Sequence, residues 1–281
     1  MTREMPIIEL GAWLATPPGR CLRAWEQDRF DHAVADAFGF HALQLGLPEI
    51  DGLRANRMPH RWVASDSVIV PEPAPAPVPL DGISTTTLGA DPVQLHCEFD
   101  ALPFPNASVD LVVLPHALEL ARDPHLTLRE VERVLVPEGR LMVAGFNPAS
   151  LWALRQRGGA AWRRLGAGRT RAPYLPRSGE FIGYWRLRDW LRLLGFEVEA
   201  GRFGCYQPPC RTEKWLARWN WIDPVGDRWW PVLGSAYFLS AVKRVRGMRL
   251  VGLAKRDVRR VRNGAAVVVS QRRKRAESET A

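Results

Sequence analysis

Short apolar runs, separated by segments long enough for a helix, are the feature that most constrains how this chain folds. Five of them fall within the first 145 residues, at His41–Gly46, Arg61–Ser65, Val93–Cys97, Asp110–Leu114 and Gly139–Gly145. Strands that are buried on both faces read as nearly continuous apolar runs, and parallel strands need long crossover connections. The sequence therefore predicts a doubly wound α/β fold with a mostly parallel sheet.

Helical patterns precede and separate these runs. The N-terminal segment, residues 1–38, is predicted to be helical because apolar residues recur in it at helix-like intervals before Gly39. Glu26 falls among the polar residues of that pattern. A second helix is predicted at Pro124–Val136 and a third around Tyr184–Leu194. These helices supply the layers that a buried sheet needs.

Charge is distributed unevenly along the 281 residues. Although the formal net charge is +9, the stretch Lys243–Arg275 alone holds 13 Lys and Arg against one acid, so the rest of the chain is slightly acidic. We interpret residues 246–281 as a basic C-terminal arm and expect it to be flexible. Such an arm contacts nucleic acid or an anionic membrane surface, or is a solvated tail.

Composition also limits the class of protein. With 46% hydrophobic and 25% charged residues, the chain is expected to be globular. No apolar stretch reaches the roughly 20 residues of a membrane-spanning helix, and Met1–Pro6 lacks a secretory pattern, so the cytoplasm is the expected compartment. Cys205 and Cys210 are close enough for a loop disulfide or half a metal site, but buried or inert thiols are the simpler interpretation, and no metal is expected.

Two further segments have unusual compositions. Pro71–Pro79 alternates proline with other residues, which favours an extended polyproline connection over a crossover helix. Seven of the 12 tryptophans lie between Trp185 and Trp230. Indole rings beside arginines could hold a flat or lipid-like substrate, could lie at a membrane interface, or could simply cover the sheet.

Three segments in the middle of the chain carry a resemblance to a known family. They are Asp100–Pro105, Val109–Val113 and Leu128–Leu141. In this order and spacing they closely resemble the class I S-adenosylmethionine-dependent methyltransferases, in the type 11-like branch that includes ubiquinone-type and many uncharacterised bacterial enzymes. The resemblance covers about residues 38–146. Because Tyr237–Val242 resembles the family's last, antiparallel strand, it extends to about residue 245.

The resemblance implies a fold, a cofactor and binding residues. It implies a seven-stranded, mostly parallel, Rossmann-like sheet in a methyltransferase-like domain at residues 39–245, with a Trp-rich insertion at about 205–232 before the last strand. S-adenosylmethionine would lie over the carboxyl ends of the strands. Gly46 would belong to the loop around its methionine part, Asp66 would accept the ribose hydroxyls, and Asp100 and the backbone of Ala101 would bind the adenine. Each acid could instead cap a helix or turn.

The chain departs from the family pattern in the loop after the first strand. Where relatives carry an acid followed by three alternating glycines, this sequence has Gln44 in place of the acid and Pro48 in place of the second glycine. Proline has a side chain and no N–H, so it is a poor substitute where backbone approaches a ligand. Glu138 replaces a glycine of a later turn, a change that a turn tolerates more easily.

His116 is the best candidate for a general base. It follows the fourth strand and would therefore face the cofactor cleft, and Glu119 is a weaker second choice. A base is needed only if the methyl acceptor is protonated. The alternative is a histidine that packs at the start of a helix.

Three functions follow from these features. The first is a methyltransferase that acts on a small or lipid-like molecule held beneath the Trp-rich insertion. The second is a non-catalytic descendant of the same fold that binds nucleic acid or an anionic surface through its basic arm. The third, a nucleic-acid methyltransferase, ranks last because the motifs of the amino-methylating and cytosine-C5 enzymes are not found in the sequence.

Overall fold

A computed structural model describes residues 10–66, 93–164, 174–176, 180–219 and 221–244. The chain divides into two compact units, residues 1–245 and 246–281, and every described residue belongs to the first. The predicted polyproline connection at Pro71–Pro79 and the basic arm lie outside the described residues.

Seven strands form a single sheet. They are β1 (His41–Leu45), β2 (His60–Ser65), β3 (Val93–His96), β4 (Val109–Pro115), β5 (Leu135–Phe146), β6 (Phe196–Gly204) and β7 (Ala236–Lys243). Their order across the sheet is β3-β2-β1-β4-β5-β7-β6. Only β7 runs antiparallel to its neighbours β5 and β6. The predicted seven-stranded, mostly parallel sheet is confirmed.

The described helices cover both faces of this sheet. They are α1 (Pro17–Ala35), α2 (Ala117–Leu120), α3 (Pro124–Val134), α4 (Leu151–Arg164), α5 (Tyr184–Leu193), α6 (Glu213–Arg218) and α7 (Ile222–Trp229), followed by a 3-10 turn at Pro231–Leu233. None of them is both long and apolar enough to cross a membrane.

Local sequence signals explain where the best-defined helices begin. Thr16 caps α1 by accepting the Gly19 N–H on its hydroxyl, and a proline follows at the first helical position. Asp123 caps α3 in the same way, because one carboxylate oxygen lies 2.8 Å from the His125 nitrogen and 3.1 Å from that of Leu126. A side-chain acceptor satisfies the N–H groups that have no partner within the helix.

Two apolar clusters form the core, one on each face of the sheet. The first joins α1, the loop after β1 and Trp152 of α4 to the sheet, and the second joins α2, α3 and α5 to its opposite face. Strands β1, β4 and β5 are buried along most of their length between the two layers. This sandwiching accounts for the continuous apolar runs in the sequence.

Several element boundaries differ from the predictions. Strand β5 begins at Leu135, before the expected turn, because Glu138 adopts a left-handed conformation (φ 64°) that lets the strand continue after a shift of register. The 14 residues between β1 and β2 form turns and no helix. Helix α4 occupies part of a Gly/Arg-rich stretch for which no helix was predicted. There Trp152 and Ala153 are buried, and tertiary packing outweighs the weak helix propensity of the glycines.

Candidate functional site

The carboxyl ends of the four adjacent parallel strands β1 to β4 bring the predicted site residues to one edge of the sheet. Gly46 directly follows β1, Asp66 directly follows β2, Asp100 lies four residues after β3, and His116 directly follows β4. Backbone hydrogen bonds continue the sheet into these positions, from Gly46 to Ala64 at 3.1 Å and from His116 to Ala144 at 3.0 Å. We refer to this region as the carboxyl edge.

Gly46 is required by the packing of its own backbone. Its φ of 112° is a conformation that residues with a side chain rarely adopt. A Cβ at this position would lie 2.8 Å from the Pro115 carbonyl oxygen and 3.0 Å from the Ala117 Cβ. The glycine therefore lets β1 end tightly against the chain that leaves β4, independently of any ligand.

Gln44 holds the loop that follows β1. Its buried amide nitrogen donates to the carbonyl oxygens of Leu47 and Ile50, at 2.9 and 2.7 Å. Its oxygen accepts the Gly52 N–H at 2.8 Å. Where relatives carry an acid, this chain thus carries a side chain whose donors and acceptor bind its own backbone. Pro48 is exposed on the same loop, so its ring does not occupy the protein interior.

Asp100 carries a buried carboxylate oxygen without a hydrogen-bond partner. Its Oδ1 is one of three buried side-chain polar atoms in the described part of the chain for which no partner is found. A buried acceptor left unsatisfied costs about 1–3 kcal/mol, so such an atom needs an explanation. An exocyclic amino group such as that of adenine would supply the missing donor. The neighbouring Ala101 N–H bonds to the Glu98 carbonyl oxygen at 3.2 Å, within a turn.

Asp66 is the first residue after β2. Cys97 is the first residue after β3. Burial, and to a lesser extent the negative charge of the Asp66 carboxylate, raise the pKa of the Cys97 thiol to about 11. Asp66 is half-buried at the carboxyl edge. Two carboxylates therefore follow neighbouring strands there, which suits a ligand with several donor groups, such as a nucleoside.

His116 lies in the interior between two carboxylates. Its Nδ1 is 2.7 Å from Glu119 Oε2 and its Nε2 is 2.9 Å from Glu26 Oε1, and all three side chains are buried. Burial lowers the pKa of His116, but the two carboxylates outweigh it and raise the pKa to about 10. At neutral pH the ring is therefore protonated. We call these three residues the buried ion cluster.

The buried ion cluster does not support the general-base role expected for His116. Both ring nitrogens are occupied by carboxylates, and a protonated imidazole has no lone pair with which to accept a proton. Glu119, the second candidate, accepts the Phe146 N–H on its other oxygen at 2.6 Å, and burial raises its pKa. The cluster instead connects α1, the end of β4 and the end of β5.

Glu26 is the member of this cluster that the sequence analysis missed. It was counted among the polar residues of the N-terminal pattern, yet it is completely buried. Leu22 and Phe30 lie four residues before and after it and are buried on the same helix face. The sequence signal was an acid at the centre of an apolar stripe with a spacing of four residues. Such an acid is expected to be buried, and a buried charge needs a partner.

An aromatic layer lies outside the buried ion cluster. The Phe146 ring is 4.5 Å from the His116 ring and 5.5 Å from that of Trp13, which in turn contacts Trp152. Beyond Trp13 lies a mainly apolar cavity of about 270 Å³. It is lined by Trp13, Thr16, Pro17, Pro18, Tyr174 and Arg211. A second cavity of about 260 Å³ shares Pro17 and reaches Leu216 of α6.

Most tryptophans of residues 213–233 do not cover the sheet. We call this stretch, which comprises α6, α7 and the following 3-10 turn, the tryptophan-rich segment. Its buried residues are Leu216 and Gly226, whereas the rings of Trp215, Trp221, Trp229 and Trp230 are more than half exposed. The sheet-cover interpretation of this segment is therefore wrong for these four indoles.

The cysteines form neither a disulfide nor a metal site in the described residues. All four thiols are free. Cys205 is buried and contacts Cys21, and Cys210 does not pair with it as a loop disulfide would require. Within the ranges that the structure describes, no group of three or more His, Cys, Asp or Glu side chains is arranged to hold a metal ion.

Comparison with known protein families gives one match. Residues 76–143 match the model of a methyltransferase domain. An uncharacterised Escherichia coli protein, YafS, is 41% identical over 113 residues, which are 40% of this chain and 43% of YafS. A malonyl-[acyl-carrier protein] O-methyltransferase from Halorhodospira halophila is 42% identical over 69 residues, 25% of this chain and 22% of that enzyme. The chain thus matches less than half of the length of either relative.

Solved structures agree with the topology. The methyltransferase component of a complex with the Trm112 methyltransferase activator from Haloferax volcanii superposes with a TM-score of 0.52 at 20% identity. The superposition covers 86% of this chain and 99% of that protein. At this level of identity the likeness concerns the fold, which is the class I methyltransferase fold.

Proposed function

We propose that this chain is a class I S-adenosylmethionine-dependent methyltransferase, which binds S-adenosylmethionine at its carboxyl edge and catalyses methyl transfer. The cofactor supplies a methyl group that its sulfonium has already activated. The protein therefore has to bind the cofactor, align an acceptor with the methyl group and exclude water. The fold provides the edge at which such ligands bind in open α/β sheets.

The observation that carries the proposal is the unsatisfied Oδ1 of Asp100. In our assignment Asp100 accepts the adenine amino group and Asp66 accepts the ribose hydroxyls. The N–H of Ala101 would bind the adenine ring by exchanging or sharing its long turn hydrogen bond with Glu98. Gly46 would shape the loop beside the methionine part of the cofactor, although its packing alone already demands a glycine.

We assign a small or lipid-like acceptor to the cavity beside Trp13, at the N-terminal end of α1. Two observations support this choice. The cavity of about 270 Å³ beside Trp13 has mainly apolar walls. It lies beyond the aromatic layer that begins at Phe146, where β5 ends. A mainly apolar cavity suits an acyl or prenyl chain.

The cofactor assignment is tested with Asp100→Ala. Full-length protein is titrated with S-adenosylhomocysteine and the shift of its melting temperature is followed. Because a buried hydrogen bond is lost, we expect the affinity to fall by about 1–3 kcal/mol, roughly 5- to 150-fold. Without ligand the variant should be as stable as the wild type or more stable, because it loses an acceptor that has no donor.

Glu199→Gln is the matched control for this test. Glu199 is an exposed acid on β6, at the opposite edge of the sheet from β3, so its removal should leave ligand binding unchanged. Equal affinity in wild type and Asp100→Ala would contradict the assignment. No ligand binding by any variant, with salt-dependent heparin retention that truncation at Lys243 removes, would instead favour the non-catalytic binding module.

The acceptor class is tested with S-adenosylmethionine that carries a deuterated methyl group. The full-length protein is incubated with the organic-soluble and aqueous fractions of a cell extract, and mass spectrometry locates the label. We expect label in the organic-soluble fraction, because the cavity is apolar. Transfer into aqueous metabolites alone would contradict the lipid-like class while leaving methyl transfer itself intact.

A further inference from the structure

The tryptophan-rich segment exposes four large aromatic side chains that packing within the protein does not explain. The exposed fractions are 53% for Trp215, 60% for Trp221, 69% for Trp229 and 59% for Trp230. Large apolar side chains that cluster at the surface mark interaction sites, whereas single exposed ones are ordinary. Here four indoles occur within 16 residues of sequence.

The segment is fastened to the body of the protein by small contacts. Asp223 accepts the Tyr206 N–H at 2.8 Å, and Gly226 lies so close to the Tyr206 ring that a Cβ there would clash with it. Arg20 of α1 forms an ion pair with Glu213 at 3.3 Å. These contacts hold the backbone of α6 and α7 in place and leave the four indoles in solvent.

The chemistry of the exposed surface matches the boundary between headgroups and acyl chains. Val232 and Leu233, which follow Trp230 closely in the sequence, are 40% and 42% exposed. These aliphatic side chains favour a lipid over a nucleic acid, because only flat rings stack on bases. Indoles favour an environment that is apolar at one end and wet at the other. The Arg218 guanidinium carbon lies 5.9 Å from the centre of the Trp215 ring. The guanidinium and the indole can therefore enter the headgroup layer as a cation–π pair.

The charge of the tryptophan-rich segment favours a membrane over a nucleic acid as its partner. The segment contains three cationic side chains, Lys214, Arg218 and Arg228, and three acidic ones, Glu213, Asp223 and Asp227. A segment without net charge complements a zwitterionic headgroup layer. It is poorly suited to a phosphate backbone, whose binding depends on excess Lys and Arg. Any affinity for anionic surfaces that arises in the basic arm should depend strongly on salt.

We propose that the tryptophan-rich segment docks on a zwitterionic phospholipid membrane, with the indoles of Trp215, Trp221, Trp229 and Trp230 inserted at the headgroup boundary. This docking is apolar in origin and does not depend on methyl transfer. It would place the cavity of about 260 Å³ that α6 helps to line close to a bilayer, where lipid-like molecules reside.

Vesicle binding by the full-length protein tests the docking. Phosphatidylcholine vesicles, with and without brominated acyl chains, are used at low salt and at about 1 M NaCl, where the screening length is roughly 3 Å. We expect co-sedimentation that salt changes by less than about twofold, with bromine quenching of tryptophan fluorescence. Trp229→Ser/Trp230→Ser should lower the affinity by about tenfold, because two large apolar side chains are no longer inserted.

Trp185→Ser is the matched control variant. Trp185 is 56% exposed on α5 and has Arg188 over its ring at 5.3 Å, as Trp215 has Arg218, but it lies outside the segment. Its loss should not affect binding. The proposal is overturned if wild-type protein does not bind phosphatidylcholine at high salt, if Trp185→Ser weakens binding equally, or if binding requires anionic lipid. It is also overturned if only single-stranded nucleic acid is bound through these indoles.

Discussion

At the scale of single residues, the same position can be recognised from sequence for one reason and required by the structure for another. Gly46 is found as part of a cofactor motif, yet its left-handed backbone and its contact with the chain after β4 already demand a glycine. Asp100 is the reverse case, because its unsatisfied oxygen has no structural explanation and points to a ligand. Burial and hydrogen bonding separate the two cases, and the sequence records neither.

Gly46→Ala should therefore destabilise the fold even without a ligand. Strain at the positive φ and a contact of 2.8 Å with the Pro115 carbonyl oxygen should together lower the free energy of unfolding by about 1–3 kcal/mol. Urea denaturation measures this. Gly158→Ala is the control, because a Cβ on Gly158 of α4 meets no atom within 4 Å and should stabilise the helix by up to about 1 kcal/mol. Equal stabilities of Gly46→Ala and wild type would contradict the packing role.

At the scale of elements, the apolar runs located the strands well, and polar contacts between elements were harder to predict. Strands buried on both faces leave a strong pattern in sequence, whereas the buried ion cluster joins residues 90 positions apart. Only the acid within the apolar stripe of α1 hinted at it. The lack of a helix between β1 and β2 could not be predicted either, because it depends on hydrogen bonds that Gln44 makes with its own loop.

The buried ion cluster should make stability depend on pH. The pKa of His116 is about 10 in the folded state and near 6.5 when unfolded, so its stabilisation is fully present below pH 6.5 and is lost as pH rises toward 10. Urea denaturation should show the free energy of unfolding falling between pH 6.5 and 8.5, on the order of 1 kcal/mol per pH unit.

The variant Glu26→Gln tests whether the buried ion cluster causes this fall of the free energy of unfolding with pH. Without one of its two carboxylates, the His116 pKa should be lower, and the fall in stability over this range should be smaller than in the wild type. Glu199→Gln, a change at an exposed position, should leave the slope as it is. A flat profile in the wild type, or the same slope in Glu26→Gln, would show that the cluster does not titrate in this way.

At the scale of the whole molecule, the first unit combines the seven-stranded sheet with an N-terminal helical segment and the tryptophan-rich segment. The seven-stranded, mostly parallel sheet and its carboxyl edge were predictable, because several motifs that resemble one family occur in sequence order. The exposure of the four indoles was not predictable, because aromatic residues at helical spacing give the same sequence pattern whether they face a core or solvent. The N-terminal segment contributes Trp13, Thr16, Pro17 and Pro18 to the lining of the cavity beside Trp13.

The central claim is that this fold retains a site for an adenosyl cofactor although Gln44 and Pro48 replace residues of the family's glycine loop. Isothermal titration calorimetry of the full-length chain with S-adenosylhomocysteine tests it most directly. The account predicts saturable binding at one site per chain, weakened by Asp100→Ala and unchanged by Glu199→Gln. No heat of binding at millimolar ligand, from protein whose folding is confirmed by circular dichroism, would contradict it.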